Sequence, residues 1–457
     1  MGVPSSYLED ASGYRGSADA LFTPATAEEV SALLRDAGAK DIPVTISGAG
    51  TGVTGGRVPH GGWILSVEKF RRLEIHSGHC LAGAAIRLKE LQEAASPTGQ
   101  FYPPDPTEHT ASVGGSVATN ASGSRSFLYG ATRRHVRALQ VALMDGSVRW
   151  YRRGEAIDFD VPALPRPRTT KHATGFPLEP GMDWVDLFIG SEGILGVVLE
   201  AELGLLPKPA GLLAGVVFLP EELLAFDAID RWRLMPGLRM IEFMDACSLH
   251  LLRPQYPEIP GAARAALLIE QETGADPTSA ADAWLDRLEE VGALTEGSWF
   301  GFTDSDRERF RRFRHRLPEL VNDCVRRNGF SKLGTDFAVP IESNRRMFEI
   351  YREAVRGEFP DSSVIFGHAG DAHLHVNILP ERDDDVRRGR EIILVLARRA
   401  VELGGTVSAE HGLGKRKTEL LSVEKNANEV RAMTEVKRRL DPKWLLGRGS
   451  LLGSSPT

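Results

Sequence analysis

The feature that most restricts the fold is a group of five glycines within nine residues, directly after a β-branched stretch. Residues 42–56 read IPVTISGAGTGVTGG. Glycine lets backbone N–H groups approach a phosphate without obstruction by a Cβ atom, so a strand followed by this loop suits a pyrophosphate. The loop has no Gly-Lys-Thr/Ser ending, so it is not a Walker loop, and it is not the glycine turn of a Rossmann unit leading into a helix.

A second tract of the same character follows about fifty residues later. Residues 103–107 read PPDPT, and residues 113–123 read VGGSVATNASG. Prolines, glycines and small polar residues dominate from 103 to 136, so we expect little regular structure there. Two such tracts in one chain are difficult to explain as turns alone, and they favour a large ligand that contacts both.

Size and charge exclude several classes of protein. The 457 residues predict two or three domains. The net charge of −7 argues against nucleic acid as a partner, because phosphate binding needs clustered positive charge. The arginine clusters at 307–316 and 387–390 lie in stretches with apolar residues at helical spacing, which predicts solvated helix faces.

The cysteines and the hydropathy pattern predict a reducing compartment. Cys80, Cys247 and Cys324 are too far apart for a CxxC pair, a disulfide framework or an iron–sulfur cluster held by this chain alone. The longest apolar stretch, 212–226, is interrupted by Pro220 and two glutamates. Without a signal-peptide pattern or a membrane-spanning stretch, we expect a soluble, cytoplasmic protein.

The pattern of elements changes near residue 210, where we place a domain boundary. Before it, a capped helix should follow Thr23, with Val30, Leu33 and Leu34 on one face, and Asp145-Gly146 should turn a β-hairpin. Five prolines in residues 154–182 predict an exposed excursion. Beyond the boundary, longer helices are predicted at 279–291, 307–326, 345–356, 384–403 and 429–440, with strands between them.

Histidines and a carboxylate form the second important pattern. His368, His373, His375 and Asn377 lie within ten residues, next to apolar strand-like segments, and a turn at 370–371 can fold His368 back beside His375. Such polar groups are costly to bury without a purpose. Glu410 and His411 follow later in the chain. Two histidines and one carboxylate with an open coordination position form a usual catalytic zinc site.

Together these segments resemble the vanillyl-alcohol oxidase (PCMH-type) flavoprotein superfamily, in the branch that contains D-lactate dehydrogenase, D-2-hydroxyglutarate dehydrogenase and the flavin-binding component of glycolate oxidase. The resemblance rests on Pro24, the glycine loop, the second tract, and the motifs YGATRRHV at 129–136 and GSEGILG at 190–196. It implies an α+β fold: a two-lobed PCMH-type FAD-binding domain over 1–209, then an α+β substrate (cap) domain with an antiparallel sheet over 210–457. The tail 441–457 should return to the FAD domain.

The resemblance also implies the cofactor and its contacts. Covalent members of the superfamily place a histidine in the glycine loop, whereas this chain has Arg57 after Gly56, so non-covalent FAD is expected. The implied FAD contacts are Gly48, Ala49, Gly50, Thr51, Gly52, Val53, Thr54, Gly55, Gly56, Pro104, Asp105, Gly114, Gly115, Thr119, Asn120, Gly123, Glu192, Gly196 and Val197.

Roles in catalysis follow from the same resemblance. His368, His375 and Glu410 would bind a divalent metal, zinc by preference. His411 would be the catalytic base, Asn377 a substrate contact, and Arg314 the partner of the substrate carboxylate.

The chain departs from the family's Gly-Asp-Gly-Asn pattern at two adjacent positions, where it has Ala372 and His373. His373 is therefore a candidate for an additional ligand, a second acid–base group or a specificity element. The usual Asn-Pro-Gly-Lys ending is also altered, to Gly447, Arg448, Gly449 and Ser450.

The expected function is oxidation of a D-2-hydroxy acid to the 2-oxo acid. Pro318 and Gly334 replace a threonine and a lysine of the resembled hydroxyglutarate enzymes, although Lys332 is nearby, so D-lactate or a glycolate-like substrate is favoured. D-2-hydroxyglutarate dehydrogenase, an oxidase, and a flavin-binding subunit without its own turnover remain alternatives. A quinone, a cytochrome, an electron-transfer flavoprotein or an iron–sulfur subunit would accept the electrons. A homodimer and a peripheral position at the inner face of the membrane also stay open.

Overall fold

A small parallel sheet carries the glycine loop at its edge. The computed structural model describes residues 2–274 and 278–454. Its first elements are β1 (Ala20–Phe22), α1 (Ala27–Ala39), β2 (Val44–Ser47) and β3 (Trp63–Ser66), with strand order β1-β3-β2. Thr26 caps α1 by accepting the N–H of Glu29, and Val30 and Leu34 are buried beneath the helix. The predicted capped helix is confirmed, and the glycine loop leaves directly from the end of β2.

An antiparallel sheet forms the second lobe of this domain. The remaining elements up to residue 207 are β4 (Leu73–His76), β5 (His79–Gly83), α2 (Leu88–Ala95), β6 (Gln100–Phe101), α3 (Val113–Thr119), α4 (Ser126–Tyr129), β7 (Val136–Ala142), β8 (Val148–Arg152), α5 (Trp184–Phe188), β9 (Val197–Gly204) and β10 (Leu206–Pro207). The five-stranded sheet has the order β4-β5-β9-β7-β8. Its β7–β8 pair is the predicted hairpin around Asp145-Gly146, which is confirmed.

Helix α3 lies where little regular structure was expected. Ser112 caps it by accepting the N–H of Gly115. A Cβ atom at Gly114 would lie only 2.8 Å from the Cβ atom of Ala84, so the glycine allows the helix to pack closely on the chain after β5. The glycines here serve helix packing as well as turns. Amino-acid composition alone does not distinguish these two uses of glycine.

The expectation of an exposed excursion at 154–182 is wrong for its second half. Lys171, Phe176 and Leu178 are buried, and the N–H of Ala173 donates to the carbonyl of Ser408 in the second domain. The prolines of residues 154–182 correctly predict an irregular backbone. Irregular backbone can nevertheless be buried when another domain supplies its hydrogen bonds.

The rest of the chain builds a seven-stranded antiparallel sheet with helices. Its elements are β11 (Gly211–Leu219), α6 (Glu222–Trp232), β12 (Leu238–Met244), α7 (Ala246–Leu252), β13 (Ala265–Thr273), α8 (Thr278–Glu290), β14 (Trp299–Gly301), α9 (Asp304–Asn328), β15 (Leu333–Gly334), α10 (Asn344–Glu358), β16 (Ser363–His368), β17 (His373–Ile378), α11 (Asp383–Glu402), α12 (Leu421–Glu424) and α13 (Ala427–Leu440). The strand order is β14-β11-β13-β12-β16-β17-β15. The predicted α+β class and the five predicted helices are confirmed.

The C-terminal segment runs back to the first domain. The N–H of Val44 donates to the carbonyl of Leu445 at 2.8 Å, and the N–H of Gly447 donates to the carbonyl of Val44 at 2.9 Å. The buried Lys437 donates to the carbonyls of Ile194 and Leu446. These contacts join α13 and the residues after it to β2, the strand that precedes the glycine loop.

Across residues 2–274 and 278–454, none of the helices is both long and apolar enough to cross a bilayer.

Candidate active site

A large cavity lies between the two domains and is lined by residues of both. Its volume is about 1150 Å³, enough for a dinucleotide together with a small substrate. Most of the predicted FAD contacts lie on its wall: Gly48, Ala49, Gly50, Thr51, Gly52, Val53, Thr54, Gly56, Gly114, Gly115, Thr119, Glu192 and Gly196. The two glycine-rich tracts, distant in sequence, therefore face one space.

Six predicted FAD contacts do not reach the cavity wall: Gly55, Pro104, Asp105, Asn120, Gly123 and Val197. Three of them make their contacts within the protein. Asp105 forms an ion pair with Arg125 at 3.1 Å, and Asn120 accepts the N–H of Arg133 at 3.0 Å. Val197 is buried within β9. Asp105, Asn120 and Val197 therefore pack behind the cavity wall, and contact of all six residues with FAD stays a prediction.

We expect Gly123→Ala to destabilise the FAD-free protein by about 1–3 kcal/mol, because the added methyl group overpacks the site. A Cβ atom at Gly123 would lie 1.9 Å from the carbonyl oxygen of Asp105. Urea unfolding of the FAD-free variant measures this cost. Gly56→Ala is the matched control, since a Cβ atom there meets nothing within 4 Å, and its stability should stay within about 0.5 kcal/mol of the parent. Equal stability of both variants would contradict the packing role of Gly123.

The glycine loop presents unpaired backbone N–H groups to the cavity. Within the described residues, the N–H groups of 49–53 have no intramolecular hydrogen-bond partner. Gly50 has a φ of +79°, a left-handed conformation that favours glycine. Consecutive free N–H groups in such a loop form a concave binding site for anions. Arg57 and Lys415 line the cavity beside the loop, where they donate to the carbonyls of Gly48 and Gly56, so the loop fits the pyrophosphate of FAD.

The strands β16 and β17 form a hairpin that brings two histidines together, as predicted. His375 directs Nδ1 at the carbonyl oxygen of Thr335 at 3.0 Å, so Nδ1 carries the proton and Nε2 has a free lone pair. The Nδ1 atom of His368 lies 2.5 Å from Oε1 of Glu242. Such partners on the far nitrogen are typical of metal-binding histidines, because they set the orientation of the ring.

Glu410 faces both histidines from a neighbouring loop. Its Oε1 atom lies 3.3 Å from Nε2 of His368 and 3.7 Å from Nε2 of His375. Two imidazole nitrogens and a carboxylate oxygen thus converge on one point, and the lone pair of His375 faces a negatively charged oxygen. A cation between these atoms would remove that repulsion. The donor set therefore fits a divalent metal, with zinc as the usual ion for two histidines and one carboxylate.

Asp336 organises the loop that carries Glu410 and His411. Its Oδ2 atom accepts the N–H groups of both residues, at 3.3 and 2.8 Å, and the hydroxyl of Ser408 at 2.6 Å. Its Oδ1 atom lies 3.4 Å from Nδ1 of His411. The His411 side chain is 32% exposed, far more than those of His368 and His375. It is therefore the histidine of this group that a substrate can reach most easily.

Burial and charge set the pKa values in the site. Burial alone would raise the pKa of Glu242, but the charges of Arg314 and His368 outweigh it and keep that pKa well below its ordinary value. Burial lowers the pKa of His375 and of His411, and in His411 the charge of Asp336 opposes the change. Burial raises the pKa of Glu192 to about 7. The N–H groups of Leu413 and Gly414, which donate to its carboxylate, lower that pKa but do not outweigh burial.

Arg314 and Asn377 both line the cavity, as predicted for substrate contacts. The Nε atom of Arg314 donates to Glu242 at 2.7 Å and its Nη1 atom to Thr107 at 3.1 Å. Arg314 thus neutralises the carboxylate behind His368 and still has N–H groups for a ligand. The Nδ2 atom of Asn377 is buried without a hydrogen-bond partner among the described residues. An unsatisfied amide at a cavity wall suits a substrate oxygen.

His373 does not line the cavity, and its role as an additional ligand, an acid–base group or a specificity element stays a prediction. Its side chain is fully buried, and its Nε2 atom lies 3.1 Å from Oδ1 of Asp336. A ring nitrogen of His373 lies close enough to His368, His375 and Glu410 to count as a potential ligand atom. The contact of Nε2 with Asp336 also joins His373 to the carboxylate that holds the Glu410 loop. Ala372, which precedes it, adopts a left-handed φ of +50°, where glycine is less strained.

Sequence reasoning missed four residues of the site: Glu242, Asp336, Ser122 and Lys171. Each contacts a predicted site residue that lies far away in the sequence. The separation is 37 positions between Asp336 and His373 and 288 positions between Ser122 and Glu410. None lies in a spacing that suggests a ligand or base. Only Ser122 belongs to a recognisable motif, the second glycine-rich tract.

The fold and the cavity define a two-domain FAD-dependent oxidoreductase, in which an FAD-binding domain is covered by a second, α+β domain. The family models agree: an FAD binding domain matches residues 18–152, and the C-terminal domain of FAD linked oxidases matches residues 214–451. The chain belongs to the FAD-linked oxidase family.

Curated relatives cover nearly the whole chain. It is 30% identical to a D-lactate dehydrogenase of Archaeoglobus fulgidus, over 94% of this chain and 91% of the relative. It is 28% identical to the glycolate oxidase subunit GlcD of Bacillus subtilis, over 96% of this chain and 90% of the relative. Among solved structures, an alkyldihydroxyacetonephosphate synthase aligns with a TM-score of 0.66 and 15% identity, over 93% of this chain and 75% of that one. The expected PCMH-type fold is confirmed.

Proposed function

We propose that the protein oxidises a small D-2-hydroxy acid to the 2-oxo acid, with FAD bound non-covalently. The observation that carries the proposal is the convergence of His368, His375, Glu410 and His411 on the wall of the same cavity that the glycine loop lines. The relatives named D-lactate dehydrogenase and glycolate oxidase subunit GlcD support this substrate class.

Each residue has a distinct task in the proposed reaction. FAD, when bound, would supply the acceptor for the hydride from C2 of the substrate, and a divalent metal held by His368, His375 and Glu410 would make the hydroxyl group more acidic. His411 removes the hydroxyl proton, and Asp336 orients its ring through the contact with Nδ1. Arg314 and Asn377 bind substrate oxygens and orient the C2–H bond. The substrate loses two electrons and two protons in total, one proton to His411 and a hydride to the cofactor.

The substrate we favour is D-lactate or a glycolate-like monocarboxylate. Pro318 and Gly334, which provide no polar side chain, line the cavity. Lys332 lines it as well, so D-2-hydroxyglutarate belongs among the compounds to test. For the electrons we propose a separate acceptor: a quinone, a cytochrome, an electron-transfer flavoprotein or an iron–sulfur partner protein.

Anaerobic reduction of the flavin tests the proposal. The purified yellow protein, supplied with zinc or manganese, should lose its flavin absorbance when D-lactate or glycolate is added, and should respond far less to L-lactate. Reduction by D-2-hydroxyglutarate alone would replace our substrate with that diacid. A protein fully loaded with FAD that no D-2-hydroxy acid bleaches would instead identify a flavin-binding subunit without its own turnover. Rapid reoxidation in air would indicate an oxidase.

A further inference from the structure

Lys171 is a fully buried lysine for which the proposed reaction has no role. Its side chain is 0% exposed, and its Nζ atom lies 3.2 Å from Oε2 of Glu410 and 3.5 Å from Oδ2 of Asp371. Burial of a lysine is costly unless its ammonium group is paired with carboxylates. The pairing here is with one of the proposed metal ligands, which suggests that the lysine serves that ligand.

The two oxygens of Glu410 have different surroundings. Oε2 contacts Nζ of Lys171 and accepts the hydroxyl of Ser122 at 3.0 Å. Oε1 faces the Nε2 atoms of His368 and His375. A carboxylate can bind a metal through one oxygen or through both. Because Lys171 and Ser122 occupy Oε2, only Oε1 is free to face the point on which the histidines converge.

Lys171 also contacts the turn between the two histidine strands. Asp371 lies in that turn, and its Oδ1 atom accepts the hydroxyl of Thr170 at 2.6 Å. The ammonium group therefore joins the Glu410 loop to the turn of the β16–β17 hairpin. Lys171, Thr170 and Ser122 all precede β11, whereas Glu410 and Asp371, which their side chains contact, follow it. The first domain thus completes a site whose ligands belong to the second.

We infer that Lys171, together with Ser122, is a positioning residue that presents Glu410 to a metal ion through Oε1 alone. The inference rests on the metal site of the proposed function and adds to it the residues that set the geometry of one ligand. It follows that metal affinity depends on the contact between the two domains at residues 170–171.

Zinc affinity of Lys171→Met tests the inference directly. The full-length, FAD-loaded protein competes with a chromophoric chelator for zinc alone, without substrate. We expect zinc binding to weaken by about 10- to 100-fold, the usual effect of losing a group that orients a ligand. Loss of a positive charge close to the site would by itself strengthen the binding of a cation. Weaker binding therefore isolates the loss of positioning, and binding as tight as in the parent, or tighter, would overturn the inference.

Three further variants separate positioning from general damage. Lys437→Met removes another buried lysine that is paired with a carboxylate, Asp441, and should lower the melting temperature without changing zinc affinity. Lys171→Arg keeps the charge and should bind zinc within a few-fold of the parent. Ser122→Ala removes the other contact of Oε2 and should weaken zinc binding about tenfold. If Lys171→Met does not fold, Ser122→Ala decides the question, and unchanged affinity in that variant refutes the inference.

These measurements do not depend on turnover. If zinc affinities follow the expected order but no hydroxy acid reduces the flavin, the positioning inference stands and the proposed substrate class fails. If hydroxy acids reduce the flavin while the parent chain binds no zinc, the positioning inference fails and oxidation of hydroxy acids stands.

Discussion

Replacement of His411 by alanine should lower turnover by about 10²- to 10⁴-fold, the range usual for loss of a general base, and should leave FAD and zinc content unchanged. His411 is more exposed than the other histidines of the site. Asp336 contacts its Nδ1 atom at 3.4 Å, so the Nε2 atom of His411 faces away from Asp336. This Nε2 atom lies 3.8 Å from Oε1 of Glu410. A substrate hydroxyl near the point on which His368, His375 and Glu410 converge would lie within reach of Nε2 of His411. Stopped-flow measurement of flavin reduction under anaerobic conditions isolates the affected step.

The control for this variant is His250→Ala, an exposed histidine on α7, which should reduce the flavin at the parent rate. FAD is quantified by absorbance and zinc by elemental analysis in the same preparations. A His411→Ala protein that reduces its flavin at a near-normal rate would exclude His411 as the base. A protein that has lost zinc would show that His411 acts as a ligand.

The sequence predicted the cofactor half of the site because that half depends on local backbone chemistry. The glycines of residues 48–56 follow one another in the chain, so the loop they form is visible as a pattern. The histidine hairpin is local in the same way. One turn joins the two strands and pairs His368 with His373, and period-two alternation then places His375 on the same face. The domain architecture followed from resemblance and from the change of pattern near residue 210.

The supporting contacts could not be predicted, because they join segments that only the fold brings together. Lys171 lies in a proline-rich stretch whose composition predicts exposure, yet packing between the domains buries it. Asp336 and Glu242 are single acidic residues in apolar surroundings, and nothing local distinguishes them from structural carboxylates. Gly123 and Asn120 show the opposite limit, because a motif does not reveal which of its residues pack inward. They stand inside a cofactor motif, but their side of the motif faces the protein interior.

Replacement of His375 by alanine should remove zinc binding and lower flavin reduction by about 10³-fold or more, since a metal contributes several kcal/mol of transition-state stabilisation. Only two of the three converging ligand atoms would remain, and neither His368 nor Glu410 could replace the lost nitrogen, because both are restrained by other contacts. The flavin should stay bound, because the hydrogen bond that the His375 ring makes within the described residues goes to the carbonyl of Thr335 and not to the glycine loop.

Metal removal from the parent protein provides the matched comparison. After treatment with a chelator, the parent should lose activity and regain it when zinc is restored. The low activity of His375→Ala should change neither on chelation nor on addition of zinc. His411→Ala should bind zinc normally and remain slow in its presence. This difference separates the ligand from the base even though the two rings stack with centroids only 5.5 Å apart. If the chelated parent reduces its flavin at the full rate, the histidines and Glu410 would have to act as a hydrogen-bonding network, with Arg314 and Asn377 as the main substrate contacts.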